Sequence, residues 1–318
     1  MTFPALYGDS GAGPRLSKMA LVLTFAMGLS WNVISPVSAA DTRATLDVDG
    51  QKRTLRIIEP TRLKKTPRST IIVFHAGSGS VGGVRRSLGL DVFARQTGAI
   101  LVYPSARNNR WEIGSAGEPP TNDMQFIRAI VNRLVADGSA DRRKIYLAGV
   151  SSGAMLAMRL ACESTDLFAG AAALISTLPP DLASACKPAK PLPFLLINGT
   201  ADPMVPYQGG KASLVEYKGD LASTEATLAP FLSAAGCGAP RPAQEVPDRD
   251  PKDGSRAMIE RYTGCKAAVQ LVRVEGGGHT VPGRRTLSVR GAVVGAQNND
   301  LDAARMVFNF FRNPPPLR

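Results

Sequence analysis

Histidine is nearly missing from this chain: two in 318 residues, His75 and His279. Cysteine is scarce too, at four, and no two stand in a Cys-x-x-Cys pair. So few nitrogen and sulfur ligands, so spaced, exclude a zinc finger or zinc ribbon, and the chain calls for no metal and no cofactor. Aromatic residues make up only 6%. Acidic residues number 26 against 38 basic ones, for a formal net charge of +12. Basic pairs such as Arg85-Arg86, Arg142-Arg143-Lys144 and Arg284-Arg285 lack the interleaved aromatics of a nucleic-acid surface, so no nucleic-acid partner is expected. The charge reads as a solvated basic surface or as attraction to an acidic polymer. Internal repeats and domain linkers are also missing, and long apolar runs are confined to the first 40 residues.

Those residues have the form of an export signal. Arg15 and Lys18 precede an apolar stretch, Met19 to Leu29, and Pro36-Val37-Ser38-Ala39-Ala40 ends in small side chains. Cleavage is expected after Ala40, leaving residues 41–318 as a single catalytic domain, secreted or periplasmic, with no stable membrane anchor. Met19 is an alternative start. All four cysteines, Cys162, Cys186, Cys237 and Cys265, lie after this segment, and an even count in an exported chain implies disulfides. Four cysteines allow three connectivities. The expected pairs are Cys162–Cys186 and Cys237–Cys265.

What is present is organised around Gly149-Val150-Ser151-Ser152-Gly153. A β-branched apolar run, Lys144 to Ala148, precedes it, and a run of helix formers, Ala154 to Ala161, follows. A strand, a tight turn bearing serine and a helix form the context of a nucleophile elbow. The two glycines are required because side chains there would collide where strand and helix meet. A serine hydroxyl needs a base. In the order serine, acid, histidine, only His279 follows Ser151, so His75 is assigned to ordering its own loop. Asp202, in a loop after the strand-like Phe194 to Ile197, is the expected acid; Asp220 is the runner-up. Backbone N–H groups of Ser152 and Gly77, with Ser78 as the alternative to Gly77, would form an oxyanion hole. Gly77-Ser78-Gly79-Ser80-Val81-Gly82 also matches a dinucleotide fingerprint, but no acid ends the next strand, at Tyr103-Pro104-Ser105.

Apolar runs at Thr70 to Phe74, Ala99 to Tyr103, Ala171 to Ile175 and Phe194 to Ile197 alternate with helical patterns. Ala44 to Val48 and Thr54 to Ile58, joined through Asp49-Gly50, read as a hairpin. Helices are expected over Leu90 to Thr97, from an Asn122 or Asp123 cap to Ala136, over Thr224 to Ala235, and after an Asp300 cap. The pattern predicts an α/β fold with a mostly parallel central sheet and helices on both faces.

Five blocks carry a resemblance: Gly149 to Met155, Arg159 to Glu163, Asn198 to Tyr207, Tyr262 to Cys265 and Gly276 to Gly283. On these the chain resembles the secreted polyhydroxybutyrate depolymerase-like, feruloyl and acetylxylan esterases of carbohydrate esterase family one. The resemblance implies an α/β-hydrolase fold and hydrolysis of carboxylic esters, short-chain, hydroxyalkanoate-oligomer, feruloyl or polysaccharide-linked, with Ser151, Asp202 and His279 as the triad. Two positions depart from that family. Asn198 stands where it often has histidine, and Val281 where it usually has tryptophan, which would remove a flat wall beside the site and favour soluble, short esters over crystalline polymer. The alternatives are an exported acyltransferase and a non-catalytic wall-binding protein on the same fold.

Overall fold

The computed structural model describes residues 39–60, 67–214, 217–283 and 291–315. Residues 1–38 of the expected 1–40 signal segment and the Arg284-Arg285 pair lie outside them, while Ala39 and Ala40 belong to the first strand. The strands among the described residues are β1 (Ala39–Val48), β2 (Gln51–Pro60), β3 (Arg68–Phe74), β4 (Ile100–Pro104), β5 (Ala140–Val150), β6 (Gly170–Leu174), β7 (Phe194–Gly199), β8 (Gly210–Lys211), β9 (Asp220–Leu221), β10 (Gln244–Glu245), β11 (Arg256–Arg261) and β12 (Val269–Glu275). Helices are α1 (Val81–Leu88), α2 (Asp91–Thr97), α3 (Asn122–Ala136), α4 (Ser152–Glu163), α5 (Pro180–Ala185), α6 (Thr224–Ala235), α7 (Gly291–Val294) and α8 (Ala303–Arg312).

Ten strands form one sheet in the order β1-β2-β4-β3-β5-β6-β7-β12-β11-β10, and β8 and β9 pair separately. The six from β4 to β12 are parallel; the β1–β2 hairpin closes one edge and β11–β10 the other, antiparallel. The apolar run of β3 is continuous because both faces of a parallel sheet are covered. Successive side chains alternate between two cores. Ile72 and Phe74 pack with Phe126, Leu156 and Phe231 of α3, α4 and α6. Ile71 and Val73 face Leu88, Val307 and Phe308 of α1 and α8.

The hairpin turns at Asp49-Gly50 as the sequence predicts, and α6 spans the expected residues, capped by Ser223 and ended by left-handed Gly236. Two caps differ. Thr121, not Asn122 or Asp123, caps α3, while Asp123 is drawn into a buried ion pair with Arg53 of β2. Asp302 caps α8; Asp300 instead accepts the N–H groups of Arg249 and Asp250. The glycine-rich stretch after β3 contains a helix, α1, which Gly82 and Gly83 argue against. Ser80 caps it, and burial of Val84 and Leu88 outweighs the propensity cost. Both disulfides have the expected partners, Cys162–Cys186 and Cys237–Cys265. The first ties the end of α4 to the end of α5; the second ties the end of α6 to the turn after β11.

Candidate active site

The sheet delivers three loops to one place. Ser151 follows β5, Asp202 lies three residues past β7, and His279 four past β12, all at the C-terminal ends of parallel strands. Loops there are where open α/β sheets bind ligands.

The serine turn is tight enough to dictate its glycines. A Cβ at Gly149 would overlap the carbonyl oxygen of Gly153, and one at Gly153 would overlap the carbonyl of His75 at the end of β3. Ser151 itself has φ +55° and ψ −125°, a backbone conformation that an L-residue holds only when its surroundings impose it. Here the Ser151 N–H donates to Leu174 O at 2.9 Å, and the Ser151 carbonyl accepts the Ala154 N–H at 2.8 Å. Strand β6 and the first turn of α4 thus pin the serine from two sides.

His279 Nδ1 lies 2.7 Å from Asp202 Oδ2, and Nε2 lies 2.9 Å from Ser151 Oγ. The other carboxylate oxygen of Asp202 accepts the N–H groups of Met204 and Val205, at 2.8 and 2.9 Å. Held this way, Asp202 accepts a hydrogen bond from Nδ1–H of the imidazole, which leaves Nε2 free to accept from the serine hydroxyl. The Asp202 side chain is 2% exposed and that of His279 is 9%, so the ion–dipole contacts act in a dry environment. The Asp202 and His279 loops approach closely because Gly199, at the end of β7, lies against the carbonyl of Gly277, where a Cβ would clash. Asp220, the other acid considered, belongs to the small β8–β9 pair, and the His279 Nδ1 partner is Asp202.

The loop after β3 supplies backbone donors. Residues 76–79 form a turn closed by Gly79 N–H to Ala76 O, and Ser78 N–H donates to Asn109 O. Among the described residues the Gly77 N–H has no hydrogen-bond partner. Ser152 opens α4, whose N-terminus favours negative charge. His75 is buried and fully engaged: Nδ1–H donates to Ala76 O at 2.7 Å, Nε2 accepts the Ala106 N–H at 3.1 Å, and its carbonyl accepts Trp111 Nε1–H. Burial lowers its pKa, keeping the ring neutral, and it orders the loop as the sequence suggests.

Two features escape sequence reasoning. Asn198, at 3% exposure, is a clamp: Oδ1 accepts the Ser176 N–H, and Nδ2 donates to Ser176 O and Thr224 Oγ1. It fixes the turn after β6, where Ile175 is left-handed at φ +50°, beside the carbonyl that holds Ser151. A polar residue closing an apolar strand run was the available signal. Val281, expected to face the site, is instead buried in the core with Val274 and Leu301, so a small side chain there bares no wall.

A family model described as phospholipase/carboxylesterase matches residues 118–230. A protein of Nocardia uniformis subsp. tsuyamanensis named "Putative esterase NocK" is 32% identical over 294 residues, covering 86% of this chain and 84% of its own. Feruloyl esterase C of Emericella nidulans is 26% identical over 272 residues, covering 80% of this chain and 89% of its own. Among solved structures, an acetyl xylan esterase from Aspergillus awamori aligns with a TM-score of 0.55 at 18% identity, over 76% of this chain and 94% of that one; this likeness bears on the fold.

Proposed function

The chain belongs to the feruloyl esterase-like α/β-hydrolases and is a carboxylic ester hydrolase, and we propose that Ser151, His279 and Asp202 are its catalytic triad. One observation carries the reading: the continuous relay from Ser151 Oγ through both ring nitrogens of His279 to a carboxylate whose remaining oxygen is already saturated by backbone donors.

In this reading Ser151 Oγ attacks the ester carbonyl carbon while its proton passes to His279 Nε2. The carbonyl π pair moves to oxygen, and the N–H groups of Gly77 and Ser152 receive that charge. Asp202 stabilises the imidazolium without taking its proton. The tetrahedral intermediate collapses, the C–O bond to the alcohol breaks, and His279 Nε2–H protonates the departing oxygen. Water, deprotonated by the same nitrogen, then repeats the sequence on the acyl-enzyme and regenerates Ser151. The substrate is an ester of the short-chain, feruloyl or acetyl-polysaccharide kind, consistent with the relatives named above. Export to an oxidising compartment is part of the proposal. The two disulfides support it, and residues 1–40 would be the signal, leaving a catalytic chain that starts at Asp41.

The test is Ser151→Ala with a p-nitrophenyl ester. Turnover should fall on the order of a million-fold, His279→Ala should fall similarly, and the double variant should lose little more, because such residues act as a unit. Labelling of Ser151 by a fluorophosphonate should disappear in the alanine variant. Near-native hydrolysis by Ser151→Ala would refute the assignment.

A further inference from the structure

Beside the oxyanion loop lies a second concavity that the triad does not use. It is a cavity of about 400 Å³ lined by Arg43, Arg56, His75, Ser80, Ser105 and Asn109, among others. It adjoins the catalytic site through His75, which lines the cavity and whose carbonyl abuts Gly153, two residues past Ser151.

The charge of this cavity is unbalanced. Arg43 and Arg56 stand directly opposite each other in the β1–β2 register. Like charges in that relation destabilise a strand pair, so the fold gains nothing from them. Arg43 has no ion-pair or hydrogen-bond partner among the described residues. Arg56 lies 3.5 Å from Asp41, its buried Nε–H makes no hydrogen bond, and Asp41 is shared with Arg85 at 2.8 Å. Arg86 adds a further cation at the rim: its Nη1 would lie 3.4 Å from a Cβ at Gly82, which lines the cavity, and it too has no partner among the described residues. Ser80, Ser105 and Asn109 add polar residues to the same lining. Arg43 and Arg56 line the cavity and Arg86 stands beside its Gly82, and guanidinium groups match the planar, two-oxygen geometry of a carboxylate.

We propose that this cavity binds the carboxylate of a uronic-acid residue in the substrate, so that the enzyme selects esters carried by acidic saccharides over those on neutral ones. This inference rests on the serine-esterase reading and deepens it. The carboxylate sits one loop away from the oxyanion donors, holding the saccharide while Ser151 reaches an acyl group attached nearby. The net charge of +12 adds long-range attraction toward such polyanions.

The experiment compares kcat/KM on O-acetylated galacturonic-acid oligomers and on O-acetylated xylose oligomers of equal length, with p-nitrophenyl acetate as a third substrate. The wild-type enzyme should favour the acidic oligomers by roughly ten-fold at low salt, and the preference should shrink between about 0.02 and about 0.3 M salt. In the Arg43→Gln/Arg86→Gln variant the ratio of acidic to neutral rates should fall by roughly five- to ten-fold, mostly through KM. Equal rates on both oligomers in the wild type would overturn the proposal, as would an unchanged ratio in the variant. A preference for acid-terminated hydroxybutyrate oligomers over the uronic oligomers would overturn it too. Loss of p-nitrophenyl acetate hydrolysis in the wild type would instead count against the serine-esterase reading itself.

Discussion

Asn198→Leu removes a clamp while keeping the number and branching of the side chain's heavy atoms. Three hydrogen bonds vanish, and the Ser176 N–H and C=O are left buried with the Thr224 hydroxyl. Ser176 and Thr224 are both fully buried, so water does not replace the lost partner. Each stranded backbone group costs about 1–3 kcal/mol, giving about 2–6 kcal/mol for the pair. The leucine side chain offsets part of this by being apolar, so about 3 kcal/mol is the working figure. For a chain of this size that lowers Tm by about 4–5 °C. The kinetic effect follows from the same turn. Leu174 O, which holds the Ser151 N–H, is two residues before Ser176, and the left-handed Ile175 between them persists only while both sides are tethered. Released strain moves Ser151 relative to His279, and a small displacement of that kind costs roughly ten- to a hundred-fold in kcat with little change in KM. Thermal melting followed by circular dichroism and p-nitrophenyl acetate kinetics read both effects. Asn198→His keeps a donor and an acceptor and should retain more of each. A Leu variant that melts within about 1 °C of wild type would refute the argument, and so would full additivity with Thr224→Val, because residues sharing a hydrogen bond couple.

His75 makes the fold acid-sensitive. Burial holds its pKa below the ordinary 6.5, so the folded protein keeps the ring neutral while the unfolded chain takes up a proton as pH falls. Its contribution is complete above pH 6.5 and is lost on going down through that range, at most about 1.4 kcal/mol per pH unit. The drop in Tm between about pH 7 and about pH 5 should therefore be smaller in His75→Gln; equal drops would refute this. The disulfides close loops of 24 and 28 residues and should stabilise by about 3 kcal/mol each in the chain-entropy model. Cys162→Ser/Cys186→Ser and Cys237→Ser/Cys265→Ser should each melt lower than wild type; a variant that melts like wild type would contradict that figure.

Much of this protein is written locally. The elbow was legible because its chemistry demands adjacent residues: glycine at 149 and 153, where backbones touch, and serine between a strand and a helix. Scarcity pointed to His279 as the proposed base, since one histidine of two follows the serine, and the strand-to-loop position of Asp202 pointed to it as the proposed acid. The alternation of apolar strands and helical patterns was enough for a mostly parallel sheet covered on both faces. Long-range pairing was decided only in three dimensions. Asn198 reads only as a departure from the family's usual histidine until Ser176 and Thr224, 22 and 26 positions away, close around it. Val281 reads as a site wall until the chain turns it into the core. Asp123 reads as a helix cap until Arg53 arrives from β2, and Arg43 faces Arg56 only because the hairpin register puts them opposite each other. Sequence periodicity reports which face of its own element a residue occupies; what that face meets depends on contacts that close only when distant segments pack, and no local pattern encodes them.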